Sequence, residues 1–265
     1  MTVPSSPRTF HHEGVAVEIH AQRAALGQSA ARAAAATLRA AVGRHGAARA
    51  IFACAPSQDP LLAALTADAS LPWDRITVFH MDEYVGLPAT HPASFRHYLR
   101  EHLLHRVQPL RVEEIAGDAT DAEAECHRYA ALLQAGPIDL VCLGIGENGH
   151  LAFNDPPVAD FADTRTVKPV ALDAACRVQQ VADGCFPALS DVPRHALTLT
   201  IPALLRGARL VCCVPGERKA AAVAAALCGP IATSCPASIL RRHPAVALYL
   251  DEPSAALLPA GFARS

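Results

Sequence analysis

The chain has 265 residues, of which 51% are hydrophobic and 18% are charged, and its formal net charge at pH 7 is −2. This length is enough to bury a large core, and so small a net charge gives no overall field that would attract nucleic acid or an anionic membrane surface. No apolar stretch reaches the roughly 18 residues that a membrane span needs, and Met1 to Phe10 lack the basic and apolar regions of a signal peptide. We therefore expect a cytoplasmic protein with no nucleic-acid partner and no membrane partner.

The nine cysteines are an odd number, are scattered through apolar segments and form no C-x-x-C pattern. We therefore expect buried, reduced thiols rather than disulfides or a zinc site. The histidine pairs His11–His12 and His102–His105 lack the Cys or carboxylate framework of a metal site, so they are interpreted as solvated surface residues. The sequence predicts no metal site.

Short apolar runs alternate with helical stretches, which is typical of a parallel sheet covered by helices. In chain order, the predicted elements are a helix over residues 21–42, a strand over 50–54, a helix over 60–68, a strand over 76–80, helices over 93–105 and 121–134, strands over 140–145, 196–200 and 210–214, helices over 217–227 and 234–241, and a strand over 246–250. Each strand is nearly all apolar, so each is expected to be buried on both faces. Proline and glycine interrupt residues 154–191, which we interpret as a loop-rich excursion.

The predicted fold class is therefore α/β, a single-domain, doubly wound, mostly parallel sheet with helices on both faces, and residues 1–265 form that one domain. In open sheets of this class, ligands bind beyond the carboxyl ends of the strands. Asp82 and Glu83 directly follow one predicted strand, and because successive side chains of a strand point to opposite sides, only one of them is expected to face the cleft. Lys219 follows another strand, on a first helical turn where an ammonium and free amides can together bind a phosphate.

A glycine-rich loop over residues 144–155 follows the strand at 140–145 and contains His150. It includes the pattern G-x-G-x-x-G, but Pro156 and Pro157 follow so closely that the glycines do not open the helix of a dinucleotide-binding fold. We expect them to shape a tight loop whose amides face a ligand. The imidazole of His150 suits proton transfer near neutral pH, and either Asp155 or Glu147 could fix its tautomer.

At these positions the sequence resembles the glucosamine-6-phosphate deaminase family, within the sugar-phosphate isomerase and 6-phosphogluconolactonase superfamily. The resemblance runs from about residue 51 to residue 254, and its motifs are Met81-Asp82-Glu83-Tyr84-Val85-Gly86-Leu87, His91-Pro92-x-Ser94, Gly149-His150-Leu151-Ala152-Phe153-Asn154 and Gly216-x-x-Lys219-Ala220. It implies a doubly wound α/β fold and the hydrolytic deamination and isomerisation of an amino-sugar phosphate. The reaction implied is glucosamine 6-phosphate to fructose 6-phosphate and ammonia, with a small sugar phosphate as partner and no cofactor.

The resemblance also implies roles for individual residues. Asp82 would move a proton from C2 to C1 of the substrate, and His150 would assist opening of the sugar ring. The predicted catalytic residues are Asp82, His150, Asn148 and Asp155, and the predicted substrate-binding residues are Ser57, Gln58, Glu83, Gly146 and Lys219.

Three departures from the family pattern bear on the substrate. The phosphate loop reads Ala53-Cys54-Ala55-Pro56-Ser57-Gln58-Asp59 where the family has a Gly- and Thr-rich turn, and the charge of Asp59 would repel a phosphate. Residues 179–181, with Arg177 nearby, occupy the region in which the family's phosphate-binding arginine is sought. Asn148 stands where many members have Asp, and Asp155 stands where many have Glu.

Two other functions remain open at this stage. A 6-phosphogluconolactonase-type hydrolase shares the glycine and histidine loop, but that branch follows its acidic strand end with arginine, whereas this chain has Glu83-Tyr84. A non-catalytic sugar-phosphate sensor would bind ligand without turnover, although such a binder needs no base at Asp82. The sequence leaves the oligomeric state open, a homo-oligomer included.

Overall fold

The computed structural model describes residues 6–260 and residue 262. Its strands are β1 (Arg8–His12), β2 (Val15–His20), β3 (Ala48–Phe52), β4 (Ile76–His80), β5 (Asp82–Tyr84), β6 (Arg111–Glu113), β7 (Leu140–Leu143), β8 (Val167–Ala171), β9 (His195–Leu199), β10 (Arg209–Val214) and β11 (Val246–Asp251). Eight of them form one sheet in the order β1-β2-β11-β10-β7-β3-β4-β6. Only the β1–β2 hairpin is antiparallel in this sheet. The predicted α/β class with a mostly parallel sheet is confirmed.

A second, smaller sheet pairs β5, β9 and β8 in antiparallel fashion. The predicted strand at residues 196–200 is therefore a strand, but it does not belong to the parallel sheet. A short, fully apolar run is compatible with either setting, because its periodicity does not distinguish one buried sheet from another. The small sheet matters for the site because β5 begins at Asp82.

Helices cover both faces of the large sheet. They are α1 (Arg23–His45), α2 (Asp59–Thr66), α3 (Phe95–Leu99, continued by a π-helix at Arg100–Leu104), α4 (Ala122–Gln134), α5 (Ala174–Ala182), α6 (Ile201–Leu204) and α7 (Ala220–Cys228). One buried apolar cluster includes α1, α2 and α3, and another includes α4, α6 and α7. Each face of the sheet therefore has its own core, as the doubly wound prediction requires.

Two predictions of local structure need correction. The predicted helix at 234–241 is a 3₁₀ helix over Pro236–Arg242, and Pro236 is buried within it. The excursion at 154–191 contains β8 and α5 rather than loops alone. The prolines of the excursion permit both elements, because Pro156, Pro157 and Pro187 lie outside them and Pro169 lies within β8, which has a strand partner on only one side.

Helix α1 packs unusually closely on α2. Its buried face consists largely of alanines and leucines at helical spacing, among them Leu26, Ala30, Ala34 and Leu38. A Cβ atom on Gly27 would lie only 2.3 Å from the side chain of Pro60, the second residue of α2. This contact holds the chain that follows β3 against α1, at one wall of the candidate site. Within the described part of the chain, no helix is both long and apolar enough to cross a membrane.

Candidate active site

A cavity of about 390 Å³ lies beyond the carboxyl ends of β3, β4, β7 and β10. This is the edge of a parallel sheet where the segments that follow neighbouring strands converge. Five of the predicted site residues line the cavity directly: Ser57, Asp82, Gly146, His150 and Lys219. They lie in the four segments that follow β3, β4, β7 and β10. The fold therefore brings together polar residues that are far apart in the sequence.

The carboxyl group of Asp82 lies buried at the junction of β4 and β5, with only 6% of the residue exposed. No hydrogen bond from any described residue reaches its side-chain oxygens. Burial raises the pKa of Asp82 well above its usual range, and the neighbouring charge of Glu83 raises it further. The site therefore presents a carboxyl that is free to exchange a proton with a ligand.

The backbone at Asp82 is fixed by the imidazole of His80. Nε2 of His80 accepts a hydrogen bond from the Ile115 amide at 2.8 Å, so Nδ1 carries the proton and donates it to the Asp82 carbonyl at 2.9 Å. Burial lowers the pKa of His80 to about 4. The neutral imidazole of His80 thus links Ile115, which follows β6, to Asp82, whose carboxyl is the candidate base.

Glu83 points away from the cavity and supports the site from behind. Its carboxylate accepts hydrogen bonds from the amides of Tyr84, Phe95 and Arg96 and from the Ser94 hydroxyl, at 2.7 to 3.1 Å, and Arg96 Nε lies 3.3 Å away. The residue is fully buried. The predicted substrate contact of Glu83 is therefore replaced by a structural role, because both oxygens are already engaged at the start of α3.

His150 is oriented by a carboxylate and an amide. Its Nδ1 lies 2.8 Å from Oδ1 of Asp155, which also accepts a hydrogen bond from Asn148 at 2.9 Å. Asn148 in turn accepts a hydrogen bond from the His150 backbone amide at 3.1 Å. Burial opposes ionisation of Asp155, but these hydrogen bonds and the imidazole outweigh it, and the pKa of Asp155 is lowered. Asp155 and Asn148 lie outside the cavity wall and act through His150, whose Nε2 is left for a ligand.

The glycines of this loop make room for the imidazole. A Cβ atom on Gly146 would lie 2.2 to 2.4 Å from three ring atoms of His150, which is closer than non-bonded atoms approach. Gly149 has φ = 83°, a left-handed backbone that favours glycine, and its missing Cβ faces the sulfur of Cys235 at 2.8 Å. The predicted role of the glycines as loop formers rather than a dinucleotide fingerprint agrees with this geometry.

The other end of the cavity holds Ser57 and Lys219. Ser57 lies on a 3₁₀ turn at Pro56–Gln58 after β3, and Lys219 lies on a second turn at Glu217–Lys219 after β10. Only 9% of Lys219 is exposed, and its ammonium has no hydrogen bond or ion pair with any residue that the structure describes. Burial lowers the pKa of Lys219. The carboxylates of Asp183 and Glu147 act on this ammonium only from a distance. A buried cation without a direct ionic partner is costly, so this position favours an anionic ligand.

Gln58 and Asp59 lie behind this end of the cavity. Gln58 was predicted to bind substrate, but it does not line the cavity. It is buried, and its amide donates to Ser57 Oγ at 3.0 Å and to the Cys213 carbonyl at 3.3 Å, so it positions Ser57. Asp59 accepts a hydrogen bond from the Tyr98 hydroxyl at 2.6 Å and lies outside the cavity wall. Because the Asp59 carboxylate is hydrogen-bonded to Tyr98 and does not line the cavity, its expected repulsion of a phosphate is reduced.

Sequence analysis missed two cations that line the cavity, Arg23 and Arg218. Arg218 directly precedes Lys219, so its place at a strand end was a usable signal. Arg23 opens α1 after a strand that was not predicted, and no local motif marks it. Arg177, the arginine near the expected phosphate-binding position, donates instead to the carbonyls of Leu189 and Val192 at 2.7 and 3.0 Å.

One group of potential metal ligands occurs among the described residues, with atoms of His150, Asp155 and Cys176 within 4.8 Å of one another. Burial, with the nearby Asp155 carboxylate, raises the pKa of the Cys176 thiol, so sulfur stays protonated and is a poor metal ligand at neutral pH. The short contact between His150 and Asp155 is that of a hydrogen-bonded pair. This chemistry favours a proton-transfer site over a metal site.

The family model described as glucosamine-6-phosphate isomerases/6-phosphogluconolactonase matches residues 21–248. The chain belongs to this family. Among curated family members, glucosamine-6-phosphate deaminase of Listeria monocytogenes serotype 4a (strain HCC23) is 38% identical over 184 residues, which cover 69% of this chain and 76% of the relative. Glucosamine-6-phosphate deaminase 2 of Giardia intestinalis is 37% identical over 202 residues, 74% of each chain.

Solved structures of the family share the fold. A monomeric glucosamine-6-phosphate deaminase matches with a TM-score of 0.84 at 31% identity, covering 91% of this chain and 99% of the other. A 6-phosphogluconolactonase from Shewanella baltica OS155 matches with a TM-score of 0.74 at 21% identity, covering 89% and 97%. The second likeness shows a common fold alone, whereas the deaminase likeness extends to sequence.

Proposed function

We propose that this family member catalyses the hydrolytic deamination and isomerisation of an amino-sugar phosphate, glucosamine 6-phosphate to fructose 6-phosphate and ammonia. The observation that carries the proposal is the content of one cavity: the unpaired carboxyl of Asp82, the oriented imidazole of His150 and the unpaired ammonium of Lys219. Deamination of a sugar phosphate needs a base, a ring-opening group and an anion site. The relatives named above support this reaction over others on the same fold.

The base is Asp82. In the open-chain substrate the C2 proton is acidic because the aldehyde at C1 stabilises the resulting anion. Asp82 removes this proton and returns it to C1, while the C1 oxygen gains a proton and the amine loses one, which leaves a hydroxyl group at C1 and an imine at C2. Water then adds to C2, ammonia leaves, and the ketose phosphate remains. A raised pKa suits a carboxyl that must both accept a proton and give it back.

His150 opens the ring. Opening requires that a proton leave the C1 hydroxyl and that the ring oxygen gain one, and a single imidazole can transfer both. Asp155 holds Nδ1 at 2.8 Å, so transfer occurs at Nε2, and the ionised carboxylate stabilises the imidazolium formed in between. Asn148 donates a hydrogen bond to Asp155 and accepts one from the His150 backbone amide, so it fixes the position of Asp155 relative to His150. Both residues therefore position His150 without touching the substrate.

The phosphate binds at the opposite end of the cavity, between Lys219 and the turn that carries Ser57. Lys219 supplies the charge, and Ser57, oriented by Gln58, supplies a hydroxyl donor. We further propose that the enzyme works in the cytoplasm, where phosphorylated sugars are retained because a charged group crosses a bilayer at high cost.

The test is ammonia release by the purified protein from glucosamine 6-phosphate and from galactosamine 6-phosphate. Unphosphorylated glucosamine and 6-phosphogluconolactone serve as parallel substrates. We expect ammonia from glucosamine 6-phosphate, and a much lower rate from the unphosphorylated sugar because Lys219 then has no partner. Hydrolysis of the lactone without any ammonia release would overturn the proposal and assign the protein to the other branch of its family.

A further inference from the structure

Four residues form a closed ring of polar contacts at the wall of the cavity. The backbone amide of Glu147 donates to Gln179 Oε1 at 3.0 Å, and Gln179 Nε2 donates to Asp183 Oδ2 at 3.2 Å. The Arg218 guanidinium closes the ring, because it pairs with Asp183 and also with Glu147 at 3.1 Å. The ring joins the glycine-rich loop, the end of α5 and the turn after β10.

Within the ring and its neighbour Lys219, the positive and negative charges balance. Arg218 and Lys219 contribute two positive charges, and Glu147 and Asp183 contribute two negative charges close to them. A sugar phosphate carries between one and two negative charges near pH 7. Release of Arg218 from its carboxylate partners would therefore strengthen the attraction for such an anion.

Arg218 is the cation best placed for release. Its side chain is 51% exposed, and ion pairs at that exposure are weak because water screens them. It lines the cavity, and in the sequence it directly precedes Lys219. Arg23 also lines the cavity, but its guanidinium donates to the Pro56 carbonyl. Residues 179–181, where the family's phosphate-binding arginine was sought, carry no cation in this chain.

We propose that Arg218 is the second phosphate-binding cation of this enzyme, and that Asp183 and Glu147 hold it at the cavity wall until a phosphate binds. The proposal rests on the proposed function, which supplies the phosphate. On binding, the guanidinium exchanges a screened carboxylate contact for two parallel hydrogen bonds to phosphate oxygens, a geometry that arginine favours. Arg218 then determines the preference for phosphorylated over unphosphorylated amino sugars.

The experiment measures binding of inorganic phosphate by calorimetry at neutral pH and fixed ionic strength, with no turnover involved. Arg218→Gln is expected to weaken binding about tenfold or more, and Arg218→Lys is expected to restore part of the loss. Asp183→Asn keeps an oxygen for Gln179 but removes the charge that holds Arg218, so it is expected to tighten binding about threefold or more.

The double variant Asp183→Asn with Arg218→Gln separates two causes of that gain. If Arg218 contacts the phosphate, the gain disappears when Arg218 is absent, whereas a gain that persists reflects only the removal of a charge near Lys219 and contradicts the proposal. Arg39→Gln and Asp68→Asn form a matched control, since this pair on the outer side of α1 has a similar exposure and lies outside the cavity. Both controls should bind phosphate as the unmodified protein does.

Steady-state kinetics keep this proposal distinct from the proposed function. Turnover of glucosamine 6-phosphate with an unchanged KM in Arg218→Gln would overturn the role of Arg218 and leave the deaminase function intact. Absence of both phosphate binding and ammonia release in the unmodified protein would overturn both. A KM that rises about tenfold for the phosphorylated sugar alone is the result expected.

Discussion

The carboxyl of Asp82, the proposed catalytic base, is expected to oppose folding because it is buried. A carboxyl whose pKa is raised in the folded state binds its proton more tightly there than in the unfolded chain. Stability is therefore lost as pH rises above the unfolded value of about 3.8 towards the folded pKa, and the loss persists at neutral pH. We expect Asp82→Asn to be more stable than the unmodified protein at pH 7. In acid, where Asp82 is protonated in both the folded and the unfolded state, the two proteins should be equally stable.

The same variant is expected to lose activity. The amide of Asn neither accepts nor releases a proton near neutral pH, so kcat should fall about 10²- to 10⁴-fold while KM for glucosamine 6-phosphate changes little. Ammonia assays and urea unfolding between pH 3 and pH 8 measure the two effects. Asp74→Asn is the control, because its side chain is 79% exposed and it lies outside the cavity. Full activity, or a loss of stability at pH 7, in the Asp82 variant would contradict the assignment.

At the residue scale, the sequence identified the segments that follow buried strands. Asp82, His150 and Lys219 all occupy such positions, and all line the cavity. Alternation along a strand predicted that only one of Asp82 and Glu83 faces the cleft. It could not predict that Glu83 meets the start of α3, because this depends on a contact eleven residues along the chain, with Ser94.

At the element scale, Glu83 anchors the start of α3 to the second sheet. Its oxygens accept the first amides of the helix and face the nearly buried Arg96. Glu83→Gln would place an amide donor against these donors and leave Arg96 without its buried counter-charge, so we expect a loss of about 3 kcal/mol in the free energy of unfolding.

Asp118→Asn is the matched comparison for this anchor. Asp118 also pairs with Arg96, at 2.8 Å, but its side chain is 44% exposed, so its removal is expected to cost less than about 1 kcal/mol. Urea unfolding of both variants measures the difference. Equal losses would show that the buried contact of Glu83 contributes no more than a surface ion pair.

The glycine-rich loop and helix α1 allow one substitution to be compared in two settings. Gly146→Ala places a methyl group against the His150 ring, so we expect the imidazole to move and kcat to fall about 100-fold or more. Gly43→Ala, in the interior of α1 with open space at its Cβ, should raise stability by about 0.5–1 kcal/mol and leave kcat unchanged. Normal activity in Gly146→Ala would show that the ring can move aside without cost.

Long periodic helices and continuous apolar strands were predictable from the sequence, and strands interrupted by polar residues were not. The prediction of α1 at 21–42 lies close to Arg23–His45, because its buried alanine and leucine face extends from Leu26 to Ala41, about four helical turns. Five strands were missed because polar residues interrupt their sequences, so that none of them forms a continuous apolar run, and their stability depends on the strands beside them: β1, β2, β5, β6 and β8. α5 was missed because prolines before and after it dominated the pattern.

At the scale of the whole molecule, the large sheet separates two apolar cores that include helices from nearly the full described length of the chain. β2 from the beginning of the chain pairs with β11 near its end, and the two strands run parallel. We therefore propose that the chain forms one domain. His80 sits where several of its elements meet, since Tyr129 of α4 hydrogen-bonds to its backbone and Ile115, after β6, to its ring.

His80 is expected to make the whole protein sensitive to acid. Its pKa is lowered to about 4, whereas a histidine in the unfolded chain titrates near 6.5. Below pH 6.5 the unfolded chain therefore binds a proton on His80 that the folded protein does not bind until about pH 4. About 3 kcal/mol of stability is lost across this window. Gln can keep both hydrogen bonds of the ring without titrating, so the loss between pH 6.5 and pH 4 should be smaller in His80→Gln by that amount, measured by urea unfolding. His105→Gln, at an exposed site, should retain the full dependence, and identical pH profiles for the two variants would exclude His80 as the group responsible.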